Sequence, residues 1–252
     1  MLSTLGTLKG YILNGMDEEL GVVDEFYFDD RYWTLRYLIV DAGTWLTGRQ
    51  VLISPYAVQD VIHHGKLMSV DLTRKQVRKS PALDTDQPVS GQFEEAYYGY
   101  YGWPMYWDGP QRWGSYDLIE REHAKWKKAD PTVKPWDRHL RSSQEVSGYA
   151  IEALDGELGH VEDFVIDEET WAIRYVIVAT RNWWPGKKVL VSPEWIERVG
   201  WSESKVFINL TREAIRQSPE FTPESLLSRD YEEGLHRHYQ RRGYWMDELA
   251  AL

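Results

Sequence analysis

Apolar positions along this chain fall into short runs of four to ten residues, each cut by glycine, proline or an acidic turn. "GYILNG" (10–15) opens the pattern, and a turn at Asp17 follows it. "GVVDEFYFDD" (21–30) comes next and ends in carboxylates. "LRYLIV" (35–40) is β-branched and aromatic with apolar side chains on both faces, as expected of a strand in the middle of a sheet or at a barrel seam. "VLISP" (51–55) is a fourth strand stopped by Ser-Pro, because proline cannot donate to a ladder. "LMSVDL" (67–72) is a fifth, and Thr73 then sits where it can cap a helical turn or two that ends at the next Ser-Pro. Short strands with turn signals every eight to twelve residues predict a small barrel or sandwich.

The same order then repeats. Residues 10–81 align with 148–219 without a gap, and 27 of the 72 paired positions are identical, too many for chance. "WTLRYLIVDAGTW" (33–45) returns as "WAIRYVIVATRNW" (171–183), "VLISP" as "VLVSP" (189–193), and Thr73 as Thr211. Each copy is long enough to hold a small core, and equal patterns should bury equal faces. The two copies are therefore expected to superpose and to pack about a pseudo-two-fold axis.

The tails keep an echo of the repeat: "FEEAYYGYYGWPMYW" (93–107) matches "YEEGLHRHYQRRGYW" (231–245). Phe93, Tyr97 and Tyr101 recur at helical spacing, as do Tyr231, Leu235 and Tyr239, so each tail should begin as a short amphipathic helix. A barrel of about 72 residues is marginal alone, which makes an aromatic strap across it useful. The stretch after Trp107 is rich in Pro, Gly and charge, with a helical piece near 117–128, and reads as a linker. The expected organisation is a first barrel over 1–81, a tail and linker over 82–147, a second barrel over 148–219 and a C-terminal aromatic tail over 220–252.

These strands resemble the PRC-barrel family, known from the cytoplasmic domain of the photosynthetic reaction-centre H subunit and from a ribosome-maturation factor. The resemblance rests on the Gly-x-x-[Val/His]-x-[Asp/Glu]-[Glu/Asp]-Phe stretch, the Arg-Tyr-[Leu/Val]-Ile-Val strand and the Val-Leu-[Ile/Val]-Ser-Pro strand end, over residues 8–81 and 146–219. It implies a mainly β chain with two small PRC-type barrels in tandem, used for docking onto other proteins and sharing no catalytic residues. The membrane helix of the H subunit and the partner domain of the ribosome factor have no counterpart here, so neither specific role carries over.

Composition narrows the function classes. The net charge of −11 repels phosphate backbones and anionic lipid, which disfavours nucleic acid and membrane surfaces. There is no cysteine, hence no disulfide and no thiolate chemistry. No uncharged apolar run approaches the roughly 20 residues of a membrane helix, and "MLSTLGTLKG" lacks a signal-peptide pattern, so the chain reads as cytoplasmic and without membrane insertion. Thirteen Trp and sixteen Tyr are far more than a core of this size needs, and such rings fill cores or anchor interfaces.

Candidate chemistry is sparse. The acidic clusters Asp24, Glu25, Asp29, Asp30 and Glu162, Asp163, Asp167, Glu168, Glu169 lack the spacing of a calcium loop and read as solvated hairpin ends. His236-x-His238 and His63-His64 lack a third zinc ligand. Glu94-Glu95 and Glu232-Glu233 could run acid/base chemistry, but neighbours on a helix diverge by about 100°, so they read as a solvated face. Arg36 and Arg174, inside apolar strands, need a carboxylate from the preceding strand: Asp24 or Glu25, and Glu162 or Asp163.

The sequence thus predicts a non-enzymatic docking module with no cofactor, no metal, an unidentified protein partner and a homodimer. The rival is a carbohydrate or small-ligand binder using exposed Trp and Tyr. Trp33 and Trp171 should plug each barrel beside its hairpin. Tyr97, Tyr101, Trp103 and Trp107 in one tail, and Tyr239 and Trp245 in the other, should carry association.

Overall fold

The computed structural model describes residues 1–46, 50–81, 89, 91–106, 140–180, 187–224 and 228–248. Two mixed sheets make up most of it. In the first, β2 (Ile12–Asn14), β3 (Glu19–Asp29), β4 (Thr34–Asp41), β5 (Gln50–Ile53), β6 (Val58–Ile62) and β7 (Leu67–Val70) run in the order β5-β4-β3-β2-β7-β6. In the second, β9 (Ala150–Ala153), β10 (Gly156–Asp167), β11 (Ile173–Thr180), β12 (Lys188–Val191), β13 (Ile196–Gly200) and β14 (Lys205–Ile208) run β12-β11-β10-β9-β14-β13. The pairs β2–β7 and β9–β14 are parallel, and the other ladders are antiparallel.

The first and last strands of each order are consecutive in sequence. β5 reaches β6 through Ser54 and one 3₁₀ turn at Pro55–Ala57, where the Ser54 side chain accepts from the Tyr56 amide. Ser192 does the same at Pro193–Trp195. Each sheet must therefore curl until its edges are a few residues apart. Neither closes, because no ladder joins β5 to β6 or β12 to β13 among the described residues.

The middle strands bend at matching places. β3 shifts register between Val23 and Glu25 and between Tyr27 and Phe28; β10 does so between Val161 and Asp163 and between Val165 and Ile166. A bulge bends and twists its strand; the first of each pair adds Asp24 to β3 or Glu162 to β10, the second adds Arg36 to β4 or Arg174 to β11, and the far ends of β3 and β10 stay paired with β4 and β11 while running beyond β2 and β9. Gly21 and Gly159 allow the hairpins to close tightly. A Cβ there would meet the carbonyl oxygens of Asp41 at 2.2 Å and Ala179 at 2.0 Å, distances no side chain tolerates.

The far ends meet strands from the other copy. β1 (Leu2–Thr4) pairs with β10, and β8 (Leu140–Ser142) pairs with β3. The registers are equivalent: Leu2 faces Asp167 as Leu140 faces Asp29. Each donated strand leads into a one-turn helix, α1 (Leu5–Leu8) capped by Thr4 and α4 (Ser143–Val146) capped by Ser142. Leu2–Thr4 leave the first unit for the second sheet, and Leu140–Ser142, read as linker, belong to the first. A three-residue strand carries too little pattern to show which sheet it joins.

The seam between the units lies on their two-fold relation. Thr34 and Ala172, equivalent positions, form a bridge with each other. The Leu35 amide donates to the Trp171 carbonyl at 2.9 Å, and Ile173 to Trp33 at 2.6 Å. Both tryptophans hold a left-handed backbone, φ 49° and 57°, which is costly for a bulky residue and persists only where its surroundings impose it. Trp33 and Trp171 thus sit buried on the inter-unit seam, with Trp33 stacked on Phe28. One apolar core runs through both units, from Leu5 to Tyr239.

The remaining helices are α2 (Arg74–Lys79) and α5 (Arg212–Arg216), capped by Thr73 and Thr211 as expected, α3 (Gly91–Tyr101), α6 (Arg229–His238) and α7 (Tyr244–Glu248). No described helix is long and apolar enough to cross a membrane.

Candidate functional site

The most convergent set of polar side chains lies under the tails, once in each unit. In the first unit the outer face of β4 and β5 carries Tyr37, Ile39 and Leu52, and α3 lays Tyr97 and Tyr98 across them to make a second, aromatic core. The apolar character of β4 on both faces thus has its reason: one side meets the main core and the other meets the tail. Tyr97 donates its hydroxyl to the Leu52 carbonyl and accepts from the Ser54 amide, both at 3.0 Å. Those bonds cap the last polar groups of β5 just where Ser-Pro ends the strand.

Glu94 is buried at the centre of this contact, 1 % exposed. Its Oε1 accepts from the hydroxyls of Tyr37 at 2.8 Å and Tyr106 at 2.9 Å. Beside them Arg36, also 1 % exposed, pairs with Asp29 at 3.4 Å and lies over the Tyr106 ring, 4.1 Å from its centroid. Burial pushes the Glu94 carboxyl up to about 7; the two phenols and Arg36 pull it back in part, and Asp29 adds to the rise.

The second unit repeats this set residue by residue at the same offset. Glu232 accepts from Tyr175 at 2.9 Å and Tyr244 at 3.0 Å, and Arg174 pairs with Asp167 at 2.7 Å and lies 3.9 Å from the Tyr244 ring centroid. Arg229 adds a cation 2.8 Å from Glu232, where the first unit has Gly91. His236 stands in the place of Tyr98, with Nε2 3.0 Å from the Tyr175 hydroxyl. The Tyr175 hydroxyl thus lies within hydrogen-bond distance of both Glu232 Oε1 and His236 Nε2. Burial drives the His236 imidazole down to about 4 and raises Glu232 above the usual carboxylate range.

Several expectations change here. Glu94 and Glu232, read as half of a solvated face, are the buried hub of each tail, while Glu95 and Glu233 remain exposed. Arg36 and Arg174 pair with Asp29 and Asp167, not with Asp24, Glu25, Glu162 or Asp163: each arginine is the extra residue at a register shift of β4 or β11, beside the end of β3 or β10 that carries that carboxylate. Tyr97 and Tyr239 are buried; Tyr101, Trp103 and Trp245 are half-buried. Trp103 stacks on Tyr101 at 4.4 Å, and Trp245 packs edge-on against His236 at 5.0 Å. Trp107 lies outside the described residues. The described rings of each tail pack on that tail's own sheet, and Tyr101, Trp103 and Trp245 keep part of their surface exposed.

Tyr106 and Tyr244, with Asp29 and Asp167, were missed as partners. A signal for them existed: the Tyr-Trp pairs at 106–107 and 244–245 extend the repeat well past its gapless core. The three described clefts lie elsewhere. One, of about 210 Å³, is lined by Asp155, Lys187, Arg212 and Arg216; it corresponds to the seat that Trp45 fills in the first unit, against Arg74 and the Leu20 carbonyl. The others, of about 460 and 200 Å³, lie along the inter-unit seam. Among the described residues no three His, Asp or Glu side chains converge as a metal site needs. The arrangement under each tail is thus suited to holding the tail. No protein-family model and no curated protein matches this chain.

Proposed function

We propose that this chain is a tandem PRC-barrel protein that works as a non-enzymatic docking module for another protein. The observation that carries the reading is the reciprocal strand addition. In each unit the bent end of the long strand binds a segment of polypeptide from outside that unit, with Leu2–Thr4 on β10 and Leu140–Ser142 on β3. Main-chain hydrogen bonds to an added strand give affinity, and side-chain pockets beside it give selectivity. The curled six-strand order and the Ser-Pro turn joining its edges support the family assignment. Burial of Tyr97, Tyr98, Tyr106 and Tyr239 takes these four rings away from a sugar reading, which needs exposed platforms.

Photo-reactive residues placed at exposed Met16, Ile62 and Leu154 test the reading in native cells. One protein captured repeatedly, in near-stoichiometric yield, is the expected result. No capture at any position, together with turnover in a hydrolase or transferase screen, would overturn it. Barrel closure is tested separately by hydrogen exchange. A closed barrel slows the edge amides of β5 and β6 together, whereas an open curled sheet leaves them exchanging fast.

A further inference from the structure

The two units supply their own control. Where equivalent positions in one fold differ at the surface, folding does not demand the difference. On the first unit four surface rings form a connected patch. Trp103 stacks on Tyr101 at 4.4 Å, Tyr56 leans on Trp103 at 5.5 Å, and Tyr100 meets Tyr101 edge-on at 4.8 Å. Tyr56 and Tyr100 are 44 % and 40 % exposed. The Tyr100 hydroxyl donates to the Gln76 carbonyl at 2.9 Å, which sets the rings against α2 and its exposed Lys75 and Lys79. Neither lysine makes an ion pair among the described residues. One carboxylate, Asp71, borders the Tyr56 end, its amide bonded to the Ala57 carbonyl.

The second unit keeps the frame and discards the patch. His238 bonds the Ala214 carbonyl at 2.7 Å, as Tyr100 bonds Gln76, and Tyr239 is retained in the place of Tyr101. Tyr56 becomes Glu194, Trp103 becomes Arg241, Lys75 becomes Glu213 and Lys79 becomes Gln217. The same backbone therefore folds without the outer rings and without the two lysines.

We infer that the Tyr56–Tyr100–Tyr101–Trp103 patch, with Lys75 and Lys79, is the docking surface for an acidic peptide segment anchored by proline. The inference rests on the docking reading above and names the partner's chemistry. Proline rings pack on Tyr and Trp faces at little conformational cost, and carboxylates beside them complete the two lysines. On a chain of net charge −11 a basic spot beside exposed rings attracts an acidic segment to that face.

The test uses the full chain and a fluorescein-labelled hexapeptide of two prolines followed by four glutamates, read by anisotropy. The expected result is one site, weakened at high salt, with binding reduced at least tenfold by Tyr56→Glu/Trp103→Arg and by Lys75→Glu/Lys79→Gln. All four changes install the other unit's residues, and a melting temperature kept within a few degrees shows that the fold is intact. The reverse transplant, Glu194→Tyr, Arg241→Trp, Glu213→Lys and Gln217→Lys, should raise the stoichiometry to two. Equal binding of a lysine-substituted probe overturns the inference. So does displacement of the probe by cellohexaose, or a crosslink showing residues 82–90 or 107–139 of the chain itself seated on the patch. If photo-capture at Met16, Ile62 or Leu154 finds a partner while the probe does not bind, docking stands and this surface falls; if the probe binds and nothing is captured at those three positions, the surface stands and docking takes place at the ring patch and not at the crosslinked faces.

Discussion

Glu94 is the residue with the most to say about pH. Its carboxyl is protonated more readily in the folded chain, about 7, than in the unfolded one, near 4.5. The folded state therefore holds the extra proton between those values, and stability falls as pH rises through that window. A shift of this size is worth on the order of 3 kcal/mol, all of it present below pH 4.5 and lost above 7. Glu94→Gln keeps an acceptor for Tyr37 and Tyr106 and removes the proton. Urea midpoints of the variant should match the wild type at pH 5 and exceed it at pH 8; a constant offset at both pH values would show that Glu94 is not the titrating group. His236 works in the opposite sense. Held neutral down to about 4, it loses stability as pH falls from 6.5, so His236→Leu should flatten the acid limb of the same titration. Tyr37→Phe leaves Glu94 one donor short in a buried site and should cost about 1–3 kcal/mol, the usual penalty for an unmet buried hydrogen bond.

The elements with most leverage are the two shortest strands. β1 and β8 have three residues each, yet they tie the units together, and their junctions are chemically unlike. At the β8 junction Arg141 bonds Asp30 at 2.8 Å and lies 3.9 Å from the Trp201 ring centroid. At the β1 junction the equivalent places hold Ser3, Glu168 and His63, with the Ser3 hydroxyl on Glu168 and His63 Nδ1 2.9 Å from the Tyr11 hydroxyl. Removing residues 1–4 also removes the Thr4 cap of α1, so a loss of roughly 2–4 kcal/mol is expected from a few ladder bonds and one cap. Hydrogen exchange should quicken at 165–167 and stay slow at 27–29. Equal acceleration at both ends would mean that the strand pairing is not what stabilises each seam.

At the scale of the molecule, the exchange of strands makes two similar units into one cooperative block. A single core and a shared bridge at Thr34 and Ala172 predict one unfolding transition, with calorimetric and van't Hoff enthalpies in agreement. Two resolved transitions would show that the units melt separately and that the seam contributes little.

Pattern along the chain is enough for the duplication, the strand segments, the capping threonines and the helical start of each tail. These are local matters: periodicity, Ser-Pro stops and side-chain caps act within a few residues of chain. It also marked Arg36 and Arg174 as needing a carboxylate, since a guanidinium in an apolar strand requires one wherever it lies. Only the tertiary structure decided which carboxylate. The register shift at Tyr27–Phe28 leaves Arg36 as the extra residue of β4, beside the end of β3 that carries Asp29, and alternation along the strand cannot reveal a bulge. The same holds for Glu94, where only the packing of α3 on Tyr37 separates a buried carboxyl from its exposed neighbour Glu95. Strand exchange was out of reach for a plainer reason. Leu2–Thr4 fits either sheet by pattern, and its choice is made by the edge that the bend in β10 leaves open.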